Sequence, residues 1–242
     1  MALVTCSNID NINWLNKPAT YLLQNAAHIC SITISSSLHL IPFADTLLNE
    51  AEHKRANSYY QQKDRERFIV SRVALRQLLG QYTGLQPQDI AFTIGPNKKP
   101  FIQNAANPIH YNVSHSGDKI LIAISDHEVG IDVEHIQLDF DYEEIIPTCF
   151  STAEATYIRT SPDPRHTFYR LWTRKEALLK GTAKGVDDDL VSIPCLDGKH
   201  EVAFTTNDWV VKSFEVGEGY VGSVTHSAMV KEVNFYNSAE AE

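Results

Sequence analysis

Val129-Gly130-Ile131-Asp132-Val133-Glu134 is the stretch whose pattern sets the architecture of this chain. Its residues alternate with a period of two, the repeat of a strand packed on one face. Val129, Ile131 and Val133 point to a core, and Gly130, Asp132 and Glu134 point away from it. Two carboxylates at i and i+2 stand about 6–7 Å apart along a strand, so both can reach one divalent ion. Hard cations such as Mg²⁺ take carboxylate, phosphate and water oxygens. Gly130 on the acidic face leaves room for a bulky ligand. The same pattern also fits an edge strand whose acids are simply solvated.

Moving outward, Lys119-Ile120-Leu121-Ile122-Ala123-Ile124-Ser125 reads as a buried strand. The gap between the two strands, Asp126-His127, has hairpin length. Asn112-Val113-Ser114-His115-Ser116-Gly117, just upstream, reads as a turn-like segment, since Asn, Ser and Gly favour turns. Ser114 and His115 offer donors for a phosphate there. Residues 32–42 alternate like a strand, 45–60 read as a polar helix and 64–81 as a stronger one. In the latter, Phe68, Leu75, Leu78 and Leu79 lie near one stripe, with Arg65, Arg72 and Arg76 beside it. A short strand is expected at 90–94, then a turn at Gly95-Pro96-Asn97.

Downstream, Ser151 and Glu154 form a capping box that starts a helix running to about Arg159. Residues 168–180 are helical in pattern, and Gly181 stops them. Short strands follow at 202–205, 209–216 and 220–225. Asp187-Asp188-Asp189 reads as a solvated loop, and 237–242 as a fraying tail. Helices and strands mixed in this order, with few βαβ units, predict an α+β fold with antiparallel sheets. Each half has a helix followed by strands. The expected division is 1–125 and 126–242, the second with a short flexible tail, and a pseudo-repeat is possible.

Composition narrows the function. The 242 residues carry 30 acidic and 21 basic side chains, a formal net charge of −9. A nucleic-acid binder needs a basic face to displace counterions, so that class is disfavoured. No apolar run is long enough to span a membrane. The N-terminus lacks the basic and apolar regions of a secretory signal. Four scattered cysteines without a CxxC pair argue against a zinc ribbon and fit a reducing cytoplasm. No P-loop, GxGxxG, HExxH or GxSxG element occurs, which disfavours nucleotide loops, zincins and a hydrolase triad through His115.

On the helix at 168–180, Trp172, Glu176 and Lys180 share a face at i, i+4 and i+8. Glu176 can complete a metal site as a third carboxylate, and Lys180 can hold a phosphate oxygen. An ordinary Glu–Lys pair beside a core tryptophan gives the same spacing. Lys54, Arg55, Arg65, Arg67, Arg72, Arg76 and Lys98-Lys99-Pro100 precede the acidic strand, either as a solvated helix face or as part of a polyanion site.

Taken in order, KKP, NVSHSGD, VGIDVE and, about forty residues on, LWTRKEALLK resemble the motifs of 4′-phosphopantetheinyl transferases of the surfactin-synthetase-activating type. The resemblance covers roughly residues 52–190. It implies a monomeric pseudo-dimer of two similar α+β subdomains with the active site in the cleft between them. It implies Mg²⁺-dependent transfer of the phosphopantetheine arm of coenzyme A to a serine of an apo acyl or peptidyl carrier protein, releasing adenosine 3′,5′-bisphosphate. Asp132, Glu134 and Glu176 resemble the magnesium ligands, with Asp132 also beside the cofactor. Lys180 resembles the lysine on the transferred phosphate, and Ser114 and His115 resemble coenzyme A contacts. Lys99 resembles the lysine of a Gly-Lys-Pro element at the adenosine end, with Lys98 in place of the glycine. Arg55 and Arg67 match positions near the nucleotide phosphates. Glu176, directly or through a metal-bound water, is the expected base for the carrier serine. Other readings are a coenzyme A-binding regulatory module without catalysis and a magnesium-dependent phosphotransferase acting on a small alcohol. Carriers of this kind are usually acidic, as is this chain, so docking needs a local basic or apolar patch. The helix with Arg72 and Arg76 is the expected contributor.

Overall fold

The computed structural model describes residues 1–16, 20–95, 99–184 and 190–237. The first half runs β1 (Ala2–Asn8), β2 (Trp14–Leu15), β3 (Ala26–Thr33), α1 (Ala44–Leu47), α2 (Glu50–Asn57), α3 (Gln62–Thr83), β4 (Phe92–Ile94), β5 (Pro100–Ile102), β6 (His110–Ser116) and β7 (Lys119–Ser125). The second runs β8 (Val129–His135), α4 (Ile146–Cys149), α5 (Thr152–Thr160), α6 (Pro164–Thr182), β9 (Gly198–Val202), β10 (Trp209–Gly217), β11 (Tyr220–Ser227) and β12 (Glu232–Asn237). The α+β class expected from the sequence is what the chain adopts.

Two five-stranded sheets carry the molecule, ordered β8-β11-β10-β1-β9 and β2-β12-β3-β7-β6, with β4 and β5 as a separate hairpin. Most pairings are antiparallel, but β1 lies parallel to β10, and β12 parallel to both β3 and β2. The first strand thus sits in the sheet of the second half and the last described strand in the sheet of the first. Helix α3 closes the first core, where Val70, Val73, Leu75 and Leu79 pack on Ile120, Ile122 and Ile124 of β7. Val129, Ile131 and Val133 of β8 lie in a second core with Phe214, Val224 and Phe235. Their inward orientation matches the alternation in the sequence.

Several local expectations fail for physical reasons. β7 and β8 do not form a hairpin: β7 pairs with β3 and β6, and β8 pairs with β11. The chain crosses between sheets at 126–128, where the Asp126 carboxylate accepts from the Asn25 and Ala26 amides instead of serving a tight turn. The segment 112–116 is strand, not turn. The expected strand at 32–42 is the end of β3, followed by a bend that Asp118 holds through the Ser35 amide and hydroxyl. The helix at 45–60 is two, because Asn49 caps α2 in a reciprocal box with Glu52. The Ser151–Glu154 box forms as expected. Helix α6 runs one residue past Gly181, to Thr182, and is capped by Ala183, which takes the left-handed conformation at φ 54°. The turn at 96–97 and the acidic run at 187–189 lie outside the described residues, as does all of the expected tail after Asn237.

Gly130 is where helix meets strand. A Cβ there would lie 2.3 Å from the Ala177 carbonyl oxygen and 2.4 Å from the Gly181 amide nitrogen. The space expected for a ligand is filled by the backbone of α6. Both obstructing atoms are main chain and cannot step aside, so Gly130→Ala is expected to cost about 3 kcal/mol or more. A shift of the urea midpoint checks this, and a midpoint within error of the parent protein would contradict it.

Candidate active site

The site grows from the meeting of β6 with the open edge of β8. One edge of β8 pairs with β11. On the other, the Ile131 amide donates to Asn112 Oδ1 (2.8 Å), the Val133 amide to Ser114 Oγ (3.4 Å) and the His135 amide to Ser116 Oγ (3.1 Å). Three side chains at period two on β6 therefore satisfy three strand amides that a neighbouring strand would otherwise take. The same serines reach the acids: Ser114 Oγ donates to Asp132 Oδ1 at 2.8 Å, and Ser116 Oγ to Glu134 Oε2 at 2.7 Å.

Helix α6 supplies the other side. Because its backbone rests on Gly130, Lys180 reaches Asp132 Oδ1 at 2.6 Å and Ser114 Oγ at 3.2 Å. Asp132 is 3% exposed, and its second carboxylate oxygen is buried with no hydrogen-bond partner among the described residues. An orphaned buried oxygen is costly unless a ligand or ion completes it.

The acids perturb one another. Burial pushes Asp132 up from the ordinary carboxylate range, against the opposing pull of Lys180. Burial raises Glu134 to about 7, helped by the charges of Asp132 and Glu176 and opposed by Ser116 and Lys180. Glu176 is raised by burial and then by Asp132. The three carboxyls are thus electrostatic neighbours at one seam. Among the described residues no group of three acidic, histidine or cysteine side chains stands close enough to hold an ion. The donor set, three carboxylates with one orphaned oxygen, is nonetheless the chemistry a hard cation takes.

His115 points to the other face of β6 and lines a pocket of about 290 Å³ with Arg67, Tyr59, Phe68 and Arg72. Burial and then the Arg67 cation hold its imidazole below the ordinary range. Arg67 also pairs with Asp64 at 2.8 Å. Arg55 is exposed and stacks over the Tyr59 ring, 5.2 Å from its centroid. Lys99 donates to the Val129 carbonyl at 3.1 Å and the Gly181 carbonyl at 2.7 Å. Trp172 does not join the acids: it stacks on Phe168 in the hydrophobic cluster of α4, α5 and α6. Nor can Arg76 dock a partner. It is fully buried and binds Glu52 and the carbonyls of Pro87 and Ile90, while Arg72 pairs with the same Glu52. The roles of Asn112 and Ser116 escaped the sequence reading. Their alternation with Ser114 was the available signal, masked by the turn preference of Asn and Ser.

A pocket lined by Arg67, Arg72 and His115 thus lies on one face of β6, and buried carboxylates with a lysine lie on the other. Comparison with known proteins gives the family. A 4′-phosphopantetheinyl transferase N-terminal family model matches residues 35–127, and the 4′-phosphopantetheinyl transferase superfamily model matches 128–225. The chain is 32% identical over 179 residues to the 4′-phosphopantetheinyl transferase HetI of Nostoc sp., covering 72% of this chain and 76% of that one. It is 26% identical over 185 residues to the 4′-phosphopantetheinyl transferase Sfp of Bacillus subtilis, covering 72% and 80%. A Synechocystis sp. protein named for the same activity is 35% identical over 155 residues, which span 62% of this chain and 63% of that protein. This chain belongs to the 4′-phosphopantetheinyl transferase superfamily.

The raised carboxyls carry a stability signature. Folded Glu134 holds its proton up to about 7, whereas the unfolded group releases it near 4.5. The contribution is therefore fully present below the unfolded value and is lost as pH rises from about 4.5 to about 7. Glu134→Gln removes this loss. Relative to the parent, its thermal midpoint should gain on the order of a few degrees between about pH 5 and pH 8 in a metal-free buffer. Parallel curves for the two proteins would refute the assignment.

Proposed function

We propose that this chain transfers the 4′-phosphopantetheine arm of coenzyme A to a serine hydroxyl of an apo acyl or peptidyl carrier protein, with Mg²⁺ as cofactor, and releases adenosine 3′,5′-bisphosphate. The observation that carries the reading is the contact of Lys180 with Asp132 and Ser114 beside Glu134 and Glu176, in a chain of this family. Asp132, Glu134 and Glu176 would hold the ion, which when bound would offset the charge of the pyrophosphate.

The remaining steps belong to the protein. Phosphoryl-type transfer depends on positioning and charge neutralisation more than on covalent catalysis. Lys180 offers its charge to an oxygen of the transferred phosphoryl group. Ser114 and Ser116 orient the two strand carboxylates. Glu176, held above the ordinary carboxylate range by burial, is suited to accept the proton of the carrier serine as its oxygen attacks phosphorus and the bond to the bisphosphate leaving group breaks. Arg67 and His115, lining the neighbouring pocket, suit the nucleotide end of coenzyme A, with Arg55 at its margin. Both halves contribute to the site, which supports a monomeric enzyme. No helix among the described residues is long and apolar enough to cross a membrane. The four buried, unbridged cysteines suit a reducing, cytoplasmic setting.

Mass spectrometry of an apo carrier incubated with this protein, coenzyme A and Mg²⁺ should reveal the gain of one phosphopantetheine arm. Asp132→Ala and Lys180→Met should each lower turnover about 100-fold or more, and Glu176→Gln should do so with coenzyme A binding retained. Coenzyme A binding with no carrier modified across fatty-acid, polyketide and peptide-synthesis panels would favour a binding module without catalysis. Full turnover of Glu176→Gln would remove that residue as the base.

A further inference from the structure

Lys99 belongs to the first half of the chain, yet both of its hydrogen-bond acceptors belong to the second. Its own carbonyl accepts from the Gly95 amide at 2.9 Å, which closes the β4–β5 hairpin. From that fixed base the side chain extends to the Val129 carbonyl, at the start of β8, and the Gly181 carbonyl, in the last turn of α6. Carbonyls at a helix C-terminus lack intrahelical partners, and a cation there also meets the negative end of the helix dipole. The two acceptors flank the close approach of α6 to β8. Val129 precedes Gly130 and Gly181 follows Lys180, and a Cβ on Gly130 would meet the Gly181 amide nitrogen at 2.4 Å.

We propose that Lys99 is a positioning residue, a clamp between the two halves that holds the end of α6 in register on β8 and so keeps Lys180 and Glu176 over Asp132. The functional part of this inference rests on the transferase reading above; its structural part does not. Two of the three donors of the Lys99 ammonium are committed to these carbonyls, so at most one is left for a phosphate at the adenosine end. Its alkyl stem is half-buried along the way, and burial lowers its affinity for a proton to about 8.

Three measurements on the full-length protein test this. Hydrogen exchange without substrate should be about tenfold or more faster at amides 178–182 in Lys99→Met than in the parent, and Lys99→Arg, which keeps the donors and the charge, should restore protection. In carrier modification, Lys99→Met should lower kcat about tenfold or more at saturating coenzyme A while the coenzyme A Kd stays within about twofold, with Lys99→Arg recovering part of the rate. In the parent protein, Lys99 should resist reductive methylation equally with and without coenzyme A, a measurement that holds even if Lys99→Met does not fold. Rapid methylation that coenzyme A blocks, or a weakened coenzyme A Kd with kcat intact, would make Lys99 a phosphate contact and overturn the clamp. Unchanged exchange at 178–182 would also overturn it, whatever reaction the protein performs.

Discussion

Everything at the seam depends on how closely the backbone of α6 lies on β8. Only glycine permits it on the strand side, and a second glycine faces it from the helix: a Cβ on Gly181 would meet Thr225 Cγ2 of β11 at 2.2 Å. With ordinary side chains at these positions the helix would have to stand farther from the sheet. Lys180 could not then reach Asp132 Oδ1 at 2.6 Å. The two glycines convert a generic helix-on-sheet contact into a fixed distance between a cation and an acid.

That distance matters because the acid is nearly inaccessible. Burying a carboxylate is costly unless charge and hydrogen bonds offset it. Asp132 receives both, from Lys180 and from Ser114, but on one oxygen only. Glu134 has the Ser116 hydroxyl. The cluster is therefore held together yet electrostatically incomplete, with three mutually repelling carboxyls and one nearby lysine. Such an arrangement favours whatever supplies further positive charge.

The strand VGIDVE was legible because alternation is a local property, and its inward valines and isoleucine lie where the pattern puts them. The capping box at Ser151 and the long helix around Leu75 were legible for the same reason. Connection between sheets is not local. A two-residue gap after a strand suggests a hairpin unless Asp126 is known to bind Asn25 and Ala26, a hundred positions away. The terminal strands were missed because β1 and β12 are paired by distant partners, β10 and β3, and both pairings are parallel. Asn112 and Ser116 were hidden because turn preference and strand-edge capping use the same residue types for the same chemistry. Gly130 was noticed for the right reason, the space it leaves, but a single sequence does not say that a helix occupies that space.

The helix motif LWTRKEALLK gains a physical sense from its neighbours. Arg174 and Lys175, adjacent in sequence, are both fully buried and face different partners. Arg174 binds Ser213, Asn8, Asp197 and the Cys195 carbonyl, tying α6 to both β1 and β10. Lys175 binds Glu154 of α5 and the carbonyls of Leu190 and Ile193. A buried cation contributes little net stability after desolvation, but removing its partner is expensive, so each pair fixes orientation more than it adds free energy. With two faces of α6 held by these cations and a third pressed on Gly130, the helix has little freedom to rotate. Glu176 and Lys180 are then the charged groups of the motif left at the seam, where small errors of placement cost most in rate. The rigidity of α6 is thus spread over the whole second half, while its end is tied to the first half by Lys180 on Ser114 and by the ammonium of Lys99 on Gly181.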